Sequence, residues 1–100
     1  MDIEKVSKQI TDAQAVILNK LRTYEDIVNA SVWCVNALAD LEHESDIKRA
    51  EICLRAENVD APAARIKNIW KNETIEIRRL ITIAKGYRNT LKNLEYHEGR

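Results

Sequence analysis

From Met1 to Ala61 the chain contains neither glycine nor proline, and Pro62, Gly86 and Gly99 are the only residues of either kind in its whole length. Antiparallel sheets need a turn signal roughly every ten residues, and doubly wound α/β folds need glycine-rich connections, so both are excluded. The residues are 45% hydrophobic and 32% charged. Such a chain has much to bury, many charges to keep in water and almost nothing with which to turn. A few long amphipathic helices meet all three conditions. The expected fold class is therefore all-α, a bundle of three to four helices, and its 100 residues suffice for a single domain.

Ile3, Val6, Ile10, Ala13, Ile17, Leu21, Tyr24 and Val28 recur at spacings of three and four, which places them on one helix face. The periodicity continues past Leu21, so helices over about 2–22 and 24–43 are either separate or continuous. The only break signal is Thr23, whose hydroxyl can cap the amides that follow, with Asp26 in the position of a capping-box acid. Ile27 to Ala39 carries no charge, and a helix apolar around most of its circumference is one surrounded by other helices. The segment is expected at the centre of the bundle. Glu42 to Asp46 interrupts the pattern, and Ser45 reads as the N-cap of a short third helix over 45–58. Asp60 and Pro62 signal a restart, proline being tolerated in a first helical turn.

The last helix is expected over 61–96, with a near-heptad seam of Ile66, Trp70, Ile77, Leu80, Ala84, Tyr87, Leu91 and Leu94 in which Glu73 takes one apolar place. The β-branched run Thr74 to Ile83 would suit a strand almost as well, but it has no partner strand. Gly86 costs about 1 kcal/mol relative to alanine inside a helix, and so marks a kink or the close approach of another backbone. Tyr96 to Arg100 is expected to fray. A helix of some thirty residues spans about 50 Å, longer than a short third helix can cover. Self-association, a dimer first, is the expected remedy, with antiparallel pairing favoured because it joins oppositely charged segments.

The formal net charge of zero conceals a strong segregation. Residues 23–60 hold nine acids against three bases, and residues 61–94 hold eight bases against two acids. On the last helix Lys71, Arg78, Lys85 and Lys92 recur every seventh residue, with Arg88 close by, a stripe flanking the apolar seam. One reading is a surface for nucleic acid or a phosphorylated ligand. The other, which the zero net charge favours, is pairing with the acid-rich middle of the same or a second chain. Stacking aromatics are scarce: Tyr87 falls on the seam, leaving Tyr96. Trp33 and Trp70 read as core or interface anchors. Asn29 and Asn36 share a face, either a buried register device or, as favoured, an exposed side.

Catalytic patterns are weak throughout. Asp40 and His43 share a helix face, but a di-iron bundle needs that pair twice, and Leu94 stands where the second copy before His97 would need a carboxylate. Cys34 and Cys53 follow no zinc-ligand spacing. Cys34 lies in the least charged stretch, where a thiol's pKa rises instead of falling. No glycine-rich phosphate loop exists. No membrane span is long enough, no leader pattern precedes the first helix, and the two cysteines form no framework, all of which suits a reducing cytoplasmic setting. The residues call for no catalytic group, metal or cofactor. They fit a small non-catalytic protein that binds another protein through a helical face, as adaptor, inhibitor or regulator. Binding of nucleic acid or a nucleotide through Lys71, Arg78, Lys85, Arg88 and Lys92 is the alternative.

Overall fold

The computed structural model describes residues 1–98 and contains four α-helices: α1 (Ile3–Leu18), α2 (Tyr24–Leu54), α3 (Ala63–Glu73) and α4 (Ile75–Glu98). A 3-10 turn at Ala56–Asn58 follows α2. The chain is all-α among the described residues.

Asp2 opens α1 by accepting the Lys5 amide at 3.2 Å. The helix stops at Leu18 although the apolar periodicity runs on, because side chains here compete for the backbone. Asn19 Oδ1 accepts the Leu21 amide at 2.9 Å, and Arg22 donates to the Asn19 carbonyl at 3.0 Å. Thr23 and Asp26 then form a reciprocal capping box: Thr23 Oγ1 accepts the Asp26 amide at 3.1 Å, and Asp26 Oδ2 accepts the Thr23 amide at 2.9 Å. The first two helices are separate.

The expected interruption at Glu42 to Asp46 does not occur. α2 runs unbroken for 31 residues, and Ser45 is buried in mid-helix instead of capping a new one. Polarity alone does not end a helix when no glycine or proline assists it and the charged side chains can reach water. Trp70 Nε1 donates to the Ser45 carbonyl at 3.1 Å, so a small residue belongs where the indole reaches the backbone. α2 ends where Arg55 becomes extended and Asn58 folds back, its Nδ2 donating to the Ile52 carbonyl at 2.8 Å. That bond satisfies one of the carbonyls a helix end leaves free.

The single last helix expected over 61–96 is two helices. Pro62 stands just before α3 in an extended conformation, φ −65° and ψ 153°. Thr74, at φ −117° and ψ 22°, separates α3 from α4, and its hydroxyl donates to the Trp70 carbonyl at 2.6 Å. A buried threonine that bonds its own preceding turn is a known way to bend a helix. α4 continues to Glu98, so Tyr96 to Glu98 are helical where fraying was expected; Gly99 and Arg100 lie outside the described residues. Arg22 holds that end through an ion pair to Glu98 at 2.8 Å. Gly86 marks no break in α4, and a Cβ added there would meet nothing within 4 Å.

α1 and α4 both run antiparallel to α2 and pack along its first half. One buried cluster joins Val6 and Ile10 to Ala37, Leu38, Leu41 and Ala84. The second joins Ala13 to Ile27, Ala30, Cys34 and Leu91, with Trp33, Val16, Ile17 and Leu94 around it. The second half of α2 extends past the start of α1 and packs on α3, forming an arm of two helices. The molecule is accordingly elongated, with a radius of gyration of 17.0 Å and extents of 56 × 22 × 15 Å. A compact chain of this length would have about 13 Å.

Candidate functional site

Because ten of the thirteen residues from Ile27 to Ala39 are apolar, α2 has more greasy circumference than its neighbours cover. Ile27, Ala30, Cys34, Ala37, Leu38 and Leu41 form its buried line. Val28, Val32, Val35 and Ala39 follow one another at spacings of four, three and four, on a line roughly a third of a turn away. Val32 is 51% exposed and Val35 45%, and Tyr24, one turn before Val28, is exposed as well. Asn29 and Asn36 lie on the exposed side, as favoured. The segment expected to be surrounded is covered by α1 on one side and α4 on another, and is open on a third.

The rim of this open face comes from α4. The buried clusters set Leu91 beside Ala30 and Cys34, and Ala84 beside Ala37 and Leu38. Lys85, Arg88 and Lys92 thus stand level with the valine stripe. In antiparallel helices a rotation of the same sense leads to the same side of the pair. Trp33 of α2 and Leu94 of α4 turn the opposite way and pack, with Val16 and Ile17 of α1, against the cluster that holds Ala13, so α1 lies on that side and the cations and the valines share the side it leaves bare. The Arg88 charge reaches the buried Cys34 thiol of α2, where it partly offsets the burial that raises the thiol's pKa. Lys85 and Lys92 are two turns apart, about 10 Å, and all three cations are exposed.

The other two members of the seven-residue series are placed elsewhere. Lys71 lies on α3, beyond the break at Thr74. Arg78 staples that break: its Nη2 donates to the Lys71 carbonyl at 2.6 Å, and its guanidinium lies 5.9 Å from the Trp70 ring centre. Arg49 of α2 stands 5.8 Å from the same ring, so Trp70 joins three helices between two cations. Among the described residues no ion pair involves Lys71, Arg78, Lys85, Arg88 or Lys92. The pairing that does bridge the acidic and basic segments is Arg55 with Glu73, two contacts at 2.6 and 2.7 Å, joined by Lys48 at 3.9 Å. Glu73, the acid in an apolar seam position, is there to meet Arg55. That hydrogen bond holds the Glu73 carboxyl below its ordinary pKa and raises that of Arg55.

Asp40 and His43 line a shallow cleft with Met1, Asp2, Lys5, Glu44 and Ile47. Among the described residues no three His, Cys, Asp or Glu side chains come together as a metal-ligand set. Cys34 is buried and Cys53 exposed. Tyr96 is no free stacking surface: its ring meets His97 edge-on at 5.5 Å. No helix among the described residues is long and apolar enough to cross a membrane. The valine stripe went unread in the sequence because its apolar neighbours hide a second line within the same stretch. No protein-family model, curated protein or solved structure matches the chain.

Proposed function

We propose that this is a small non-catalytic protein that acts by binding another protein through a helical face, as adaptor, inhibitor or regulator, in the cytoplasm. The observation that carries this reading is the valine stripe of α2, exposed at coiled-coil spacing and bordered by cations without carboxylate partners among the described residues. Scattered surface apolar residues are ordinary, whereas a contiguous line with a polar rim marks an interaction surface. A photo-crosslinking residue at Val32, introduced in the native host, is expected to yield discrete adducts that disappear on Val35→Glu. The same residue at Gln14, exposed on α1, should give none. Equal labelling from both positions, or none from either, would remove the reading.

In the same proposal the helices form a bundle that self-association completes, through the two-helix arm, where Leu54 is 85%, Val59 74% and Ile75 60% exposed. Light scattering should show a mass above that of one chain, reduced by Leu54→Glu.

A second reading, binding of nucleic acid or a phosphorylated ligand, is supported by the exposed row Lys85, Arg88 and Lys92. It requires affinity for a polynucleotide that falls steeply with salt and is lost on Lys85→Glu with Arg88→Glu.

A further inference from the structure

We infer that the occupant of the open α2–α4 face is an amphipathic helix of another protein that carries acidic residues along one flank of its apolar stripe. The inference rests on the protein-binding reading above and identifies its partner by chemistry. The stripe Val28, Val32, Val35, Ala39 has the four-three alternation that accepts the knobs of a second helix. It stretches over about four turns, some 24 Å with Tyr24 included, which suits a partner helix of similar length. Lys85, Arg88 and Lys92 follow one edge of the same face at intervals of three and four. A helix laid on the valines therefore meets three positive charges over about two of its turns along that edge, with Glu95 next in the series. Uncompensated, such a row repels; opposite glutamates or aspartates it steers the partner in and fixes its direction.

A second copy of this chain does not meet that requirement. In a two-fold dimer a surface patch meets itself. Turned antiparallel, this face sets the row of cations against the same row. Turned parallel, it sets the cations against Val28 to Ala39, and from Ile27 to Ala39 the chain has no charge. Glu95, at the end of the row, is the one carboxylate that the antiparallel arrangement adds, so a second copy leaves most of Lys85, Arg88 and Lys92 uncompensated. The self-association proposed above concerns the distal arm and leaves this face free.

The experiment measures binding of fluorescent helical peptides of about 18 residues, a length matched to the face. One has leucine at the a and d positions and glutamate on the flanks; a second has lysine on the flanks; a third has the glutamates but scrambled leucines. The glutamate peptide is expected to bind saturably, with both others weaker by at least about tenfold. Lys85→Glu with Arg88→Glu should weaken it about tenfold and reverse the preference toward the lysine peptide. Val32→Glu with Val35→Glu should abolish binding, with circular dichroism confirming that these exposed substitutions leave the helices intact. Equal binding of the lysine peptide, or indifference to the valine changes, overturns the inference. So does mass growth of the protein alone that Val35→Glu abolishes, which would assign the face to a second copy. Retention of oligo-dT in place of the peptide would assign the cations to nucleic acid and likewise overturn it. Discrete Val32 adducts in the host, with no preference for the acid-flanked peptide, leave protein binding standing and defeat this inference alone.

Discussion

Ile27 and Leu41 are each wholly buried on α2, one in each core cluster. Truncating either to alanine removes buried apolar area and leaves a cavity in a small protein. A loss of about 2–5 kcal/mol is expected in urea unfolding, enough to unfold much of so small a domain. Cys34 and Cys53 should differ sharply toward a thiol reagent. In the native protein Cys53 should react and Cys34 should not until denaturant is added, since burial both shields it and disfavours its thiolate. The burial of Cys34 was legible in the uncharged stretch around it, whereas the Arg88 charge that partly opposes the effect of that burial comes from α4 and was not. Neither Arg55 nor Asn58 carried such a mark, because a bidentate partner eighteen residues away and a carbonyl six residues back exist only after the chain has turned.

The joints between helices depend on single side chains. Thr23→Ala removes one half of the capping box and should cost about 1 kcal/mol in thermal or urea unfolding. Gly86→Ala should do the opposite. The added methyl meets nothing, and the helix runs straight through, so the substitution should stabilise by up to about 1 kcal/mol. A destabilised Gly86→Ala would show that some backbone approaches this point. The Arg55–Glu73 pair ties the end of α2 to the end of α3 and is pH-dependent in a defined sense. The folded carboxyl titrates below the ordinary value of 4.5, so the unfolded chain binds the proton more readily. The pair's contribution is therefore complete above that value and is lost as the pH falls through the lowered folded one. Hydrogen exchange should show the α2–α3 arm opening first on acidification, and Glu73→Gln should blunt this dependence. The Thr23 cap was visible in the sequence because capping is local. The break at Thr74 was not, because threonine between β-branched residues is equally compatible with a continued helix until Trp70 and Arg78 are placed around it.

Taken whole, the molecule is a three-helix section prolonged by a two-helix arm. Small-angle scattering of the monomer should return a radius near 17.0 Å and not the roughly 13 Å of a compact chain. The all-α class followed from the sequence alone, since the missing glycines and prolines and the three-four spacing act within one or two turns and need no distant contact. Periodicity likewise identified Val6, Ile10, Ala13, Ala84 and Leu91 as core, although Leu21 and Tyr24, given to the same face as the first three, are exposed. What covers the apolar residues, and what stays bare, only the tertiary structure decided. α2 presents apolar side chains to three directions, and two neighbours are too few to hide them all. The bare direction depends on the rotation of α4 about its axis, which is set by Ala84 and Leu91 seating against residues half a chain away, and no local pattern encodes that contact.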